Sequence, residues 1–201
     1  MDIVCTDLEG VLVPEIWINV AEKTGIPELR LTTRDIADYD QLMQRRLSIL
    51  DRCGLKLKDI TAVIETLEPL DGAGEFLSWL RRHTQVVIVS DTFVEFARPL
   101  MAKLGWPTLF CNSLQIDAAG AIAGYRLRQP DGKRRVVDAL HSLNLRVIAM
   151  GDSYNDITML QSADHGIFFQ PPASIEAAFP QIPVTTDYPS LKAKLSELLA
   201  L

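Results

Sequence analysis

Three apolar runs in this chain each lead into a short acidic segment, and that recurrence limits the fold more than any other feature. Ile3-Val4-Cys5-Thr6 runs into Asp7-Leu8-Glu9-Gly10, and Val86-Val87-Ile88-Val89 into Ser90-Asp91-Thr92. Val147-Ile148-Ala149-Met150 runs into Gly151-Asp152-Ser153-Tyr154-Asn155-Asp156. Short, β-branched apolar runs of this kind predict buried strands. A strand covered on both faces cannot hold an uncompensated carboxylate, so Asp7 and Glu9 belong where the strand ends, facing a cleft, a metal or a cation. Gly10 lets the chain turn sharply away. In an open parallel sheet, ligands bind beyond the carboxyl ends of the strands. Placing the three acidic segments there, as polar turns, predicts one crevice holding Asp7, Glu9, Ser90, Asp91, Asp152 and Asp156. A single aspartate at a strand end is an ordinary helix N-cap; three in one chain are not explained that way.

The segments between these runs predict an α/β fold. Pro14 opens a helix to about Lys23, stopped by Thr24-Gly25. A second helix over 41–50 carries an apolar stripe of Met43, Leu47 and Leu50, and a third spans about Leu57 to Leu67. Pro69 breaks the chain, so 14–68 reads as a helical cap inserted over the cleft, with 1–13 and 69–201 as the α/β core. Asp71 is the expected N-cap of a helix to His83, followed by a strand over 85–90 and a helix over 94–104. A short strand over 108–111 precedes a β-hairpin, whose arms 114–116 and 122–127 flank Asp117-Ala118-Ala119-Gly120. A helix from Asp131-Gly132-Lys133 to Leu143, the strand over 146–150, a helix from Asn155 to Ser162, a strand over 166–169 and a helix over 190–199 complete the pattern.

The net charge of −6 argues against nucleic acid, whose binding rests on a basic face. A carboxylate-rich site needs a cation before it can hold an anion. The cysteines Cys5, Cys53 and Cys111 are odd in number and far apart, which predicts reduced thiols and a cytoplasmic setting. No signal peptide or membrane span is expected.

Mg²⁺ prefers oxygen ligands, one or two of them protein carboxylates; Asp7 and Asp152 are the expected pair. A zinc site is not expected, since His83, His141 and His165 fall on helices or loops away from the acidic segments. A metal held by aspartates, with a lysine and a hydroxyl nearby, is the apparatus of phosphoryl transfer. Asp7 suits the role of a nucleophile forming an aspartyl-phosphate. Glu9 suits protonation of the departing alcohol and deprotonation of the incoming acceptor.

Asp7-Leu8-Glu9-Gly10-Val11, Ser90-Asp91-Thr92, Lys133 and Gly151-Asp152-Ser153-Tyr154-Asn155-Asp156 resemble, in order and spacing, the four motifs of the haloacid-dehalogenase superfamily of phosphatases. The helical insert resembles the cap of its phosphoserine phosphatase branch. That resemblance implies a Rossmann-like parallel sheet, with Asp7 as nucleophile and Glu9 as acid and base. It implies Mg²⁺ held by Asp7, Asp152 and the main-chain carbonyl of Glu9, with Asp156 supporting the metal from behind. Ser90, Lys133 and Asn155 would bind the phosphoryl group; Glu15 would hold the substrate ammonium and Arg46 its carboxylate, a task suited to a guanidinium.

Two positions depart from the branch: Glu9 stands where an aspartate is usual, and Asp91 where glycine usually follows the serine. Both resemble a dual-activity member of the branch, which hydrolyses phosphoserine and also passes its phosphoryl group to homoserine. Asp91 is accordingly expected to help seat an acceptor alcohol or its ammonium. A homodimer is left open. The alternatives are a phosphatase for another small phosphomonoester and, from a different class, a phospho-accepting signalling module.

Overall fold

The computed structural model describes residues 1–32, 35–36 and 38–201. Its centre is β1 (Asp2–Thr6), paired in parallel with β2 (Gln85–Phe93) on one side and β5 (Arg146–Gly151) on the other. With β3 (Thr108–Ile116), β4 (Ile122–Arg126), β6 (His165–Phe169) and β7 (Val184–Thr185), the strands form one sheet in the order β4-β3-β2-β1-β5-β6-β7. Only β4 runs antiparallel to its neighbour, β3. The chain leaves β1 towards β2 and β3 and later crosses back to β5, so the strand order reverses beside β1. That reversal opens a crevice at the carboxyl ends of the strands.

Both faces of the sheet are covered, which is why its strands are apolar without alternation. Val4, Ile88, Ile148 and Met150 pack on one side with α4 (Ala73–His83), α5 (Val94–Lys103) and α9 (Tyr188–Leu199). Cys5, Val87, Val89, Val147 and Ala149 point to the other, against α6 (Gly132–Ser142), α7 (Ile157–Ser162) and α8 (Ala173–Ala178). The insert between β1 and α4 contains α1 (Ile16–Thr24), α2 (Tyr39–Arg52) and α3 (Leu57–Glu65). Its Ile16, Trp17, Met43 and Ile60 join the first of these clusters. Gly25, in the left-handed region, closes α1, and Asp38 caps α2 through the Gln41 amide at 3.0 Å.

Several expectations need correction. Ser90-Asp91-Thr92 is not a polar turn beyond the strand, because β2 continues in extended form to Phe93. A register shift between Val89 and Phe93 interrupts its pairing with β3, and that irregularity lets polar side chains occupy a strand. Asp71 does not cap α4; Gly72 does, at φ +82. The buried face of α2 is Leu42, Met43, Arg46, Ile49 and Leu50, with Leu47 only half-buried. Residues 108–111 and the first hairpin arm are one strand, β3, which pairs with β2 at its start and β4 at its end. The helix expected from Asn155 begins as a single 3-10 turn, Tyr154–Asp156. His165 opens β6 rather than lying on a helix or loop. The three cysteines are free, and no described helix is long and apolar enough to cross a membrane.

Candidate active site

The site begins at the end of β1. The Asp7 amide still bonds the Met150 carbonyl of β5 at 2.9 Å, while its side chain, 4% exposed, meets the acidic end of β5. Asp7 Oδ1 accepts from the Leu8 amide at 2.7 Å, and Oδ2 lies 2.9 Å from Lys133 Nζ. Beyond Asp7 the chain folds on itself, with the Leu12 and Val13 amides both bonding the Leu8 carbonyl. Gly10 makes this turn at φ +75. A Cβ there would stand 2.4 Å from an Asp152 carboxylate oxygen, so only glycine lets the turn and the aspartate meet.

Lys133 comes from the first turn of α6 and is buried among carboxylates. Its ammonium donates to Asp156 Oδ1 at 2.6 Å as well as pairing with Asp7. Asp156 Oδ2 accepts from the Asp152 and Ser153 amides at 2.9 and 3.1 Å. That double bond ties the loop after β5 into shape and accounts for the 3-10 turn. Gly151 permits it, since a Cβ at that position would fall 2.3 Å from the Asp156 carboxyl carbon.

Oxygen atoms of Asp7, Asp152 and Asp156, all buried, lie within 4.8 Å of one another. Three carboxylates against the Lys133 ammonium leave the cluster short of positive charge. Burial first, and then the Asp156 and Asp152 charges, push the Asp7 pKa well up against the opposing pull of Lys133. The all-oxygen donor set fits a hard divalent cation, which would relieve that repulsion.

Above these strand ends the cleft is lined by Asp7, Glu9, Ser90, Asp91, Asp152 and Asn155 from below, and by Glu15, Trp17, Thr32, Tyr39, Leu42 and Arg46 from the insert. Glu9 Oε2 accepts from the Ile16 amide, at the start of α1, at 2.8 Å. Burial, followed by the Glu15 carboxylate, raises the Glu9 pKa to about 7, while the Ile16 amide, Arg46 and Lys133 oppose the rise. Arg46 is 6% exposed. Its guanidinium lies 4.5 Å over the Trp17 ring, a cation–π contact that strengthens with desolvation. Nη2 donates to the Leu31 carbonyl at 2.9 Å, whereas Nε has no partner among the described residues. Burial lowers the Arg46 pKa to about 10, which leaves it charged at neutral pH.

The structure thus gathers all ten expected residues. Eight line the cleft, while Lys133 and Asp156 sit beneath it in contact with Asp7 or its partner. Ser90 is buried, its Oγ accepting from the Thr92 amide at 3.2 Å. Asp91 Oδ2 accepts from Asn155 Nδ2 at 2.8 Å. Sequence reading missed Tyr39, whose hydroxyl donates to the Asp91 carbonyl at 3.0 Å, and Trp17 beneath Arg46. Neither carries a pattern beyond helix periodicity, so only their placement reveals them. Of the histidines, His141 pairs with Asp164 at 2.9 Å, and none lines this cleft.

Residues 1–164 match the model of the haloacid dehalogenase-like hydrolases. The phosphoserine phosphatase ThrH of Pseudomonas aeruginosa is 60% identical over 192 residues, covering 96% of this chain and 94% of its own. The phosphoserine phosphatase of Pseudomonas syringae pv. tomato is 59% identical over 192 residues, covering 96% of this chain and 81% of its own. A solved phosphoserine phosphatase, a phospho-aspartyl intermediate analogue, superposes with a TM-score of 0.76 over 96% of this chain and 98% of that one. At 19% identity that likeness is one of fold.

Proposed function

The chain belongs to the haloacid dehalogenase-like hydrolase family, and we propose that within it the protein is a Mg²⁺-dependent phosphatase for O-phospho-L-serine. The observation that carries the reading is the Asp7 carboxylate, buried and clamped by Lys133, directly under an insert that supplies a buried, incompletely partnered guanidinium. The substrate assignment draws on the relatives of about 60% identity, which are named as phosphoserine phosphatases. The segment 14–68 acts as the cap, and 1–13 with 69–201 as the catalytic core.

Asp7 attacks phosphorus, and its bond to the serine oxygen breaks as Glu9 donates a proton to that oxygen. The aspartyl-phosphate so formed is discharged when Glu9 takes a proton from water, whose oxygen then bonds phosphorus and frees Asp7. A Glu9 pKa of about 7 suits a group that must give and then take a proton near neutral pH. Asp7, Asp152 and the Glu9 carbonyl would hold Mg²⁺, with Asp156 behind them; the ion supplies charge neutralisation for the transferring group. Ser90, Lys133 and Asn155 hold the phosphoryl oxygens. Arg46 binds the substrate carboxylate, and Glu15 its ammonium.

Transfer to L-homoserine in place of water is part of the same proposal, with Asp91 seating the acceptor's hydroxyl or ammonium. The ³¹P NMR spectrum of the protein with Mg²⁺ and phosphoserine, with and without L-homoserine, tests both parts. Inorganic phosphate in both tubes supports the phosphatase; a new phosphomonoester signal appearing only with homoserine supports transfer. Turnover in neither tube overturns the substrate assignment.

A further inference from the structure

We infer that Asp91 is a positioning residue that fixes which way the Asn155 side-chain amide faces the cleft, an inference that rests on reading Asn155 as a phosphoryl contact. An asparagine amide has nearly the same shape either way round, yet one orientation offers donors and the other an acceptor. Among the described residues, two side chains hydrogen-bond this amide. Ser153 Oγ donates to Asn155 Oδ1 at 2.5 Å, and Asn155 Nδ2 donates to Asp91 Oδ2 at 2.8 Å. A serine hydroxyl donates or accepts with equal ease, so Ser153 accommodates both orientations. An ionised carboxylate only accepts. With Asp91 opposite, the reversed amide would set oxygen against oxygen and lose a charge-assisted bond. Asp91 therefore decides the matter, and the second N–H of Asn155 stays available as a donor to an anionic group. With glycine at this position nothing would make that choice.

Asp91 is itself firmly held for this task. Its main-chain carbonyl accepts from Tyr39 of α2 and from Asn112 Nδ2 of β3, each at 3.0 Å. Those bonds replace the ladder that the irregularity between Val89 and Phe93 interrupts. The carboxylate also lies 3.9 Å from Lys133 Nζ. A purely electrostatic role through Lys133 is the competing account, and removal of Asn155 separates the two, because that role does not need the amide.

Asp91→Asn removes the charge and, because an amide donates or accepts, the preference for one orientation as well; Asp91→Ala removes the partner altogether. For phosphoserine with Mg²⁺, kcat should fall about tenfold in Asp91→Ala, the size of one well-placed hydrogen bond. KM should change little, and Asp91→Asn should stay at least about threefold below wild type in kcat, since its own amide can turn to suit either orientation of Asn155. In an Asn155→Ala background, Asp91→Ala should cost no more than about twofold further, because residues acting as one unit are not additive. Wild-type kcat in Asp91→Asn, or losses that multiply in the double variant, overturn the inference. Asp91→Gly carries the same expectation should the alanine variant not fold.

A readout free of turnover is the ¹H–¹⁵N signal of the Asn155 side-chain amide in the substrate-free protein. Its protons should exchange slowly in wild type and rapidly in Asp91→Ala. Unchanged exchange in Asp91→Ala overturns the inference even if phosphoserine is not turned over. Absent wild-type turnover overturns only the phosphatase reading.

Discussion

The floor of the cleft and its roof are built on opposite terms. On the floor, Lys133 lies between Asp7 and Asp156, and Asp156 accepts from two amides of its own loop. On the roof, Arg46 keeps an unpartnered Nε among the described residues while resting on Trp17. A buried polar group without a partner costs about 1–3 kcal/mol; the roof carries its cost in a missing hydrogen bond, the floor in crowded negative charge. The difference suggests a division of labour. In the proposed reading the floor needs a cation to perform chemistry, whereas the roof needs a substrate to complete it and so selects that substrate.

The most severe way to break this comparison is at the floor. Asp7→Asn should lower kcat by at least about 10⁴-fold in steady-state assays, since Asp7 is the proposed covalent acceptor of the phosphoryl group. Chelation by EDTA should stop turnover, and added Mg²⁺ should restore it; full activity after rigorous chelation would contradict the acidic-cluster reading. At the roof the effect should be smaller and of a different kind. Arg46→Ala should raise KM for phosphoserine about 30–100-fold, with kcat within about threefold of wild type. Arg46→Lys should repair little of this, because an ammonium lacks the planar fork of donors and its contact with Trp17. A fall in kcat with KM unchanged would place Arg46 with the floor.

Glu9 joins the two regions, and its substitution sharpens the boundary by the smallest expected effect. Its folded pKa of about 7 lies above the value near 4.5 of an unfolded glutamate. The stability it contributes is therefore fully present below about pH 4.5 and is lost as pH rises through 7. In metal-free protein, Glu9→Gln should leave Tm unchanged near pH 4.5 and raise it by a few degrees at pH 8. Scanning calorimetry at the two pH values checks this, and a lower Tm for the variant at pH 8 would show that the charged form is favoured.

The floor was legible in the sequence because its chemistry and its secondary structure share one signal. Asp7 and Asp152 follow apolar runs that have no other use for a carboxylate, and parallel pairing of β2, β1 and β5 then forces convergence. Lys133 was legible only by resemblance, since Lys133-Arg134-Arg135 looks like a solvated helix start and its burial depends on Asp7 and Asp156. The roof was harder to read. Arg45 and Arg46 are alike in sequence, and what sets Arg46 apart is the Trp17 ring beneath it, a contact between helices. The extension of β2 through Ser90-Asp91-Thr92 was missed because an interrupted ladder tolerates polar residues that strand patterning counts as a turn. Gly72 displaced Asp71 as the cap of α4 for a similar reason: the turn requires φ +82, a tertiary demand that cap preference does not contain.

The division between floor and roof is tested most directly by comparing kcat/KM for phosphoserine with that for a phosphomonoester lacking both the carboxylate and the ammonium, in wild type and Arg46→Ala. Wild type should prefer phosphoserine by at least about 100-fold, and the variant should lose most of the preference while hydrolysing the simple ester as before. Equal losses on both substrates would contradict that division, because the roof would then be part of the chemistry.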